Sequence, residues 1–263
     1  MKGALKSVLG QSIFGSGLDA FLLRDVAVVV AFLRVDATAD ADGLTVGVDM
    51  FERYCRFFQR HFRVISLREL VQRLEGGRPV NRRLAITFDD GYRDNFEHAA
   101  PVLEHLGLPA TFFVVTQWMS TEVVAPWDQA LSAPHPWMTW EQVRSLHHRG
   151  FDIGAHTRSH ADLGRVGDAE ATEEIFGAKR DLERQLGTSI DLFAYPFGGR
   201  ENLKPAYRAL VKAAGFRCCC SCFGGDNSSR TDPFMVRRIP VTPWYGPPRR
   251  FGFQVAARRS IVT

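Results

Sequence analysis

The chain has 263 residues, 45% of them hydrophobic, and a formal charge of +4, enough for one large α/β domain and short for two. Its basic residues are scattered apart from Arg237-Arg238, Arg249-Arg250 and Arg258-Arg259, which excludes a nucleic-acid module and leaves a solvated basic face, or contact with an anionic polymer or membrane surface. No apolar run reaches the roughly 18–20 residues of a membrane span, and Gln11, Ser12, Ser16 and Asp19 interrupt the start, so a cytoplasmic protein without a signal peptide is expected, with peripheral membrane contact by an amphipathic N-terminal segment as the alternative.

Val26 to Phe32 is a β-forming run and the first predicted strand. Ala37 to Gly43 reads as a loop, and Phe51, Tyr54, Cys55 and Phe58 give helical periodicity over Asp49 to Arg60. Val64-Ile65 is a brief strand, and Ser66 with Glu69 forms a capping box for a helix closed by Gly76-Gly77. Leu84, Ile86 and Phe88 mark a buried strand that Asp89-Asp90-Gly91 stops abruptly. Asn95 to Leu106 reads as a helix and Ala110 to Val115 as a strand. Trp118 to Pro136 is irregular, and its tryptophans, Trp127 among them, could stack on a sugar face or simply pack the loop down.

Thr139 and Gln142 form a second capping box, for a helix ended by Gly150. Phe151 to Ala155 then runs into a loop carrying His156 and His160. Asp168 to Leu186 is a helix, Leu192 to Tyr195 a strand, Pro205 to Ala214 a helix and Arg217 to Cys222 a strand. In that last strand Cys218, Cys219 and Cys220 alternate between faces, so the cysteines read as small buried residues rather than as a convergent thiolate site. Five cysteines fit a reducing compartment better than a disulfide scaffold. Repeated βα units argue for a parallel sheet with helices outside, as an open doubly wound sheet or a closed barrel.

The two candidate seats of chemistry lie at strand ends, where the loops of parallel α/β folds converge. Asp89-Asp90-Gly91 taken alone could be a tight turn with Gly at positive φ, and a His pair four apart could be an exposed helix face. Together, two carboxylates and two imidazoles make a donor set suited to zinc or a similar divalent ion.

Thr87-Phe88-Asp89-Asp90-Gly91-Tyr92 and His156-Thr157-Arg158-Ser159-His160 resemble the first two signature motifs of the polysaccharide deacetylases, the NodB-homology or carbohydrate esterase family 4 group. Phe193-Ala194-Tyr195-Pro196-Phe197-Gly198 resembles the next motif, in the version of the poly-N-acetylglucosamine-deacetylase-like branch, and the likeness runs from about residue 25 to 243. The resemblance implies an α/β fold, a distorted (β/α) barrel of about seven βα units, with residues 1–24 as an N-terminal extension, 25–243 as the catalytic domain and 244–263 as a basic tail. It implies a metal held by Asp90, His156 and His160, with Asp89 as general base and the Tyr195 backbone N–H as an oxyanion donor. Tyr92, Trp127, Pro196 and Phe197 are the expected substrate-binding residues. Zinc is the first expectation for the ion, with cobalt, nickel or manganese also compatible.

Three departures from the family pattern stand out. Phe32-Leu33 replaces a Tyr-His pair, Ala194 replaces an Arg that orients the base, and the last strand, Arg237-Arg238-Ile239-Pro240-Val241, lacks the His that often serves as acid. Arg93 or another Arg is expected to take the orienting role, and Asp162, a protonated base or a water to supply the acid. The expected activity is metal-dependent removal of N-acetyl groups from amino sugars of a polysaccharide or its precursor. The alternatives are hydrolysis of a different non-peptide C–N bond, and a catalytically silent carbohydrate-binding or assembly protein.

Overall fold

The computed structural model describes residues 2–37, 43–129, 131 and 134–257. Parts of the predicted Ala37–Gly43 and Trp118–Pro136 loops, and the Arg258-Arg259 pair, lie outside those residues. Ten strands are present among them: β1 (Ala27–Phe32), β2 (Arg34–Asp36), β3 (Thr45–Gly47), β4 (Arg63–Val64), β5 (Arg83–Phe88), β6 (Ala110–Val114), β7 (Asp152–Ala155), β8 (Leu192–Ala194), β9 (Cys218–Cys220) and β10 (Ile239–Pro240). The helices are α1 (Lys2–Gly15), α2 (Leu18–Leu22), α3 (Val48–His61), α4 (Leu67–Glu75), α5 (Ala100–His105), α6 (Trp140–His148), α7 (Asp168–Leu186), α8 (Pro205–Ala213) and α9 (Pro248–Ala256).

The main sheet is parallel throughout, in the order β10-β1-β5-β6-β7-β8-β9, with β4 paired to the first two residues of β5. Its two edges are joined by one stretch of chain. Val236 bridges Cys220 of β9, donating to Cys219 O at 3.1 Å and accepting from Ser221 N at 2.9 Å, and three residues later, at Ile239, β10 pairs with β1. This is the distorted (β/α) barrel expected from the motifs. Every residue of β1 is buried, and alternate side chains serve two cores: Val28, Val30 and Phe32 face the helices, while Ala27 and Val29 join an inner cluster with Ala85, Phe113, Leu192, Ala194, Cys218 and Cys220. Burial on both faces is why these strands read as continuous apolar runs. The apolar side of α4, Leu67, Leu70, Val71 and Leu74, packs onto the inner cluster, and the Ser66 hydroxyl caps that helix by accepting from Glu69 N at 3.0 Å.

Parallel strands point every C-terminal end to one rim. Asp89 and Asp90 follow β5, His156 follows β7, and Phe197 lies just beyond β8. Two differences from the predicted elements bear on that rim. The helix expected over Asn95 to Leu106 opens as a π-turn, Asn95–Ala99, before α5 begins. Pro101 has no N–H to give the Glu97 carbonyl and its ring would collide with that carbonyl in an α-turn, so widening relieves the conflict. The short parallel pair β2–β3 was not legible in advance, and it carries the chain past the mouth of the barrel.

The two ends of the chain meet on the outside. α1 packs along α9, and Gly10 permits it: a Cβ there would fall 2.1 Å from the Arg249 carbonyl oxygen. No helix among the described residues is long and apolar enough to cross a membrane.

Candidate active site

Asp89 belongs to the inner face of β5, continuing the alternation of Ala85 and Thr87, and its side chain meets Arg238. The pair is bidentate, with Arg238 Nη1 to Asp89 Oδ1 at 2.6 Å and Nη2 to Oδ2 at 2.9 Å. The guanidinium is itself held, donating from Nε to Ser221 O at 2.9 Å and from Nη1 to Thr87 Oγ1 at 3.2 Å, and it lies over the Phe113 ring. Arg238 is fully buried. Burial works against its charge, but Asp89 more than compensates and holds the group above the ordinary arginine value. The orienting Arg therefore comes from the segment just before β10. Arg93, the expected substitute for the one missing at Ala194, instead donates to the Trp137 carbonyl at 3.3 Å.

Asp90 turns the other way. It sits at φ +71°, and Gly91 follows at φ +90°, where a Cβ would lie 2.7 Å from Met119 Cε. This reversal sends two adjacent carboxylates to different tasks. Asp90 Oδ1 lies 3.2 Å from His156 Nε2 and 3.3 Å from His160 Nε2. His156 Nδ1 is 2.8 Å from the Ala194 carbonyl oxygen; donating there fixes the tautomer and leaves Nε2 as the lone-pair atom facing Asp90. Ala194, whose side chain contributes nothing polar, thus acts through its backbone. The His160 ring stacks on Trp118 at 5.3 Å between centroids and meets the edges of Trp127 at 4.9 Å and Phe197 at 4.7 Å.

Burial pushes Asp90 up, yet the His160 ring and the hydrogen bonds to both imidazoles override it and hold the carboxyl well below its usual range. Burial likewise opposes charge on His156, and Asp89 and then Asp90 outweigh it, raising that imidazole above its ordinary value. The field at this point favours a positive charge. Ligand atoms of Asp90, His156 and His160 all lie within 4.8 Å of one another. The donor set, the fixed His156 tautomer and the local negative field all fit a divalent ion.

The site opens into a cavity of about 360 Å³ lined by Asp89, Asp90, His156, His160, Trp127 and Phe197, with Leu33, Cys222 and the segment 240–242 completing the wall. Leu33 stands where a polar group was expected to be missing, and the wall there is apolar. Phe197, 54% exposed, stands at the rim.

Tyr92 and Pro196 are buried and do not line the cavity. Tyr92 works underneath it: Trp127 Nε1 donates to the Tyr92 hydroxyl at 2.8 Å, that hydroxyl donates to Asp128 Oδ2 at 2.9 Å, and Asp128 Oδ1 accepts from the buried Arg34 at 2.7 Å. The network fixes Trp127 at the wall. The Tyr195 N–H, expected as an oxyanion donor, is given to Cys220 O at 3.0 Å in the β8–β9 ladder, so it is already spent. Asp162 is likewise occupied, accepting from Asn202 Nδ2 at 2.8 Å and Gly164 N at 2.9 Å, and it does not reach the cavity. The cysteines of β9 are buried and free, as the alternation predicts, and Cys222 beyond them reaches the wall. Sequence reasoning missed Arg238. The signal was the basic pair before Ile239-Pro240 on a strand that had to reach the rim, which was read as surface charge.

Comparison with known proteins agrees with this architecture. The polysaccharide deacetylase family profile matches residues 76–219, more than half of the chain. The putative polysaccharide deacetylase YxkH of Bacillus subtilis is 22% identical over 229 residues, spanning 86% of this chain and 76% of its own. The poly-beta-1,6-N-acetyl-D-glucosamine N-deacetylase of Staphylococcus aureus is 20% identical over 208 residues, 75% of this chain and 68% of its own. Among solved structures, IcaB from Ammonifex degensii superposes with a TM-score of 0.72 at 22% identity, covering 88% of this chain and 97% of that one. The Streptococcus pyogenes deacetylase PplD, solved with acetate, gives a TM-score of 0.72 at 19% identity over 88% of this chain and 98% of that one. The fold and site define a barrel hydrolase acting on carbon–nitrogen bonds other than peptide bonds. The chain belongs to the polysaccharide deacetylase family.

Proposed function

We propose that the protein is a metal-dependent deacetylase that removes N-acetyl groups from amino sugars of a polysaccharide or its precursor. The observation that carries the reading is one cavity holding both an Asp90–His156–His160 donor set and a second carboxylate, Asp89, clamped in place by Arg238. Asp90, His156 and His160 would hold the ion, zinc in the first instance, which supplies a Lewis acid and lowers the pKa of water.

The remaining roles fall to the chain. Asp89 takes the proton of the attacking water at its carboxylate, and Arg238 holds that carboxylate in place through two hydrogen bonds. Among the described residues the Phe197 N–H has no protein acceptor, and its residue lines the cavity. It replaces Tyr195 as the backbone donor for the developing oxyanion. No His of β10 enters the cavity, so Asp89, once protonated, returns the proton to the leaving amine. Trp127 and Phe197 offer aromatic faces to the sugar ring.

The test is acetate release from N-acetylglucosamine oligomers by metal-stripped protein, before and after addition of zinc or cobalt, beside Asp89→Asn and His156→Ala. Metal-dependent release abolished by both substitutions is expected. Tight metal binding with no acetate from any acetylated sugar would defeat the reading and bring forward another amide substrate or a silent binder.

A further inference from the structure

A second group of metal-type ligands lies apart from the catalytic cavity. Asp36 ends β2, Asp94 stands four residues beyond Asp90, and His135 comes from the loop that carries Trp127. His135 Nδ1 is 3.9 Å from Asp36 Oδ2 and 3.9 Å from Asp94 Oδ2, and the three ligand atoms all lie within 4.8 Å of one another. Those separations are too long for hydrogen bonds. One ion at about 2.1 Å from each ligand atom spans either His135–carboxylate pair at 3.9 Å.

Asp94 is what distinguishes this cluster from a set of surface acids. It is 6% exposed, its Oδ1 accepts from Val35 N at 3.1 Å, and its Oδ2, the atom turned toward His135, has no hydrogen-bond partner. A buried carboxylate oxygen without a partner is costly. Arg34, whose charge also acts on Asp94, gives its Nη1 to Asp128. Asp36 is anchored from the other direction, with Oδ1 accepting from Ala37 N at 2.5 Å and lying 3.6 Å from His98 Nε2.

We propose that Asp36, Asp94 and His135 form a second, structural site for a divalent cation, which ties the end of β2 and the start of the post-β5 turn to the loop bearing Trp127. One imidazole and two carboxylates select a borderline ion of the zinc or manganese kind, with water completing the shell. None of the three residues lines the catalytic cavity. The ion's work is positional: His135 lies eight residues after Trp127 in one loop, so fastening it shortens the free span that holds the aromatic wall in place. The proposal stands whether or not the catalytic reading does.

Zinc content after equilibration and dialysis, measured by mass spectrometry, tests it in wild type, Asp94→Asn, His160→Ala and the double variant, with circular dichroism to confirm folding. Asp94→Asn should lose one equivalent in both the wild-type and the His160→Ala backgrounds. Equal zinc content with and without Asp94→Asn overturns the proposal. Asp36→Asn, at a more exposed position, repeats the comparison should Asp94→Asn not fold. Hydrogen exchange gives a second readout: zinc added to His160→Ala should slow exchange over residues 123–137, and it should not do so once Asp94→Asn is added. Unchanged exchange in His160→Ala would show that the cluster is a plain ion-pair group and would sink the idea.

Discussion

Arg238→Met removes the cation that Asp89 faces while keeping the length and apolar bulk of the side chain. The guanidinium makes two charged hydrogen bonds to Asp89, one to the Ser221 carbonyl and a longer one to Thr87, all in a fully buried position. Breaking a buried pair from one side leaves an uncompensated charge and costs about 3–5 kcal/mol. In a chain of this size about 3 kcal/mol corresponds to a fall of roughly 6–12 °C in Tm. Asp89→Asn alone keeps hydrogen-bonding atoms at the position but abolishes the base, lowering turnover by about 10²–10⁴-fold. The double variant Arg238→Met/Asp89→Asn removes both charges and should recover at least about 2 kcal/mol relative to the sum of the single effects, while remaining inactive. Urea unfolding of the four proteins gives the coupling, and acetate release gives the activity. A coupling below about 0.5 kcal/mol, the scatter of independent sites, or full activity in Arg238→Met would refute the claim that Arg238 holds the base.

Three further outcomes follow from the same geometry. Trp118→Leu removes the face on which His160 stacks, and zinc affinity measured by competition with a chelator should fall about 10–100-fold, as for other residues that orient a ligand; unchanged affinity would show that the stack does not position the ring. Cys222, at the cavity wall, has its thiol pushed up to about 11 by burial, so iodoacetamide at pH 8 should modify it on the order of 100-fold more slowly than a free thiol of pKa about 8.5, with the rate still rising above pH 9; fast labelling at pH 8 would contradict this environment. Phe197→Gly removes a largely exposed ring from a residue at φ +61°, and should leave stability unchanged or raised by up to about 1 kcal/mol while acetate release from oligomers falls at least tenfold; a parallel loss of both would argue against the strain described below.

What the sequence carried well was local and repeated. Buried on both faces, β1 and β5 had to be apolar at successive positions, and Ser66 and Thr139 had to cap the helices they precede. The Asp-Asp and His-x-x-x-His groups were legible for the same reason, since each is a short segment at the end of one strand. What escaped was pairing across distance. Nothing near Arg238 in the chain indicates Asp89, 149 residues away, and a pair of arginines before a short strand looks like surface charge until the barrel closes. Tyr92, part of the Thr87–Tyr92 motif, was expected among the substrate-binding residues. The turn at Gly91 instead points it beneath the rim, where its hydroxyl links Trp127 to Asp128. α9 fell in what was read as a basic tail, and α1 has no one-sided apolar pattern to mark it as a helix.

The backbone of the rim explains why the site needed a closed barrel beneath it. Seven non-glycine residues among those described have positive φ, and four of them, Asp90, Thr157, His160 and Phe197, are in or beside the donor set and the cavity. A side chain in the left-handed region costs on the order of 1–2 kcal/mol, and Thr157, β-branched, is the least suited of the four. Left to local preference, each of these turns would relax and carry its ligand away from the others. They persist because the segments between them are pinned on both sides: Asp89 N to Phe32 O at 3.0 Å, His156 N to Val114 O at 3.0 Å, Thr116 N to Thr157 O at 3.3 Å, and the Arg158 and Ser159 N–H groups to Glu174 Oε2 at 2.8 and 2.9 Å. Glycine would fit these positions more comfortably but would bring no carboxylate, imidazole or aromatic ring to the rim. The strain is therefore tied to the donors themselves, and the parallel ladder supplies the rigidity that keeps it.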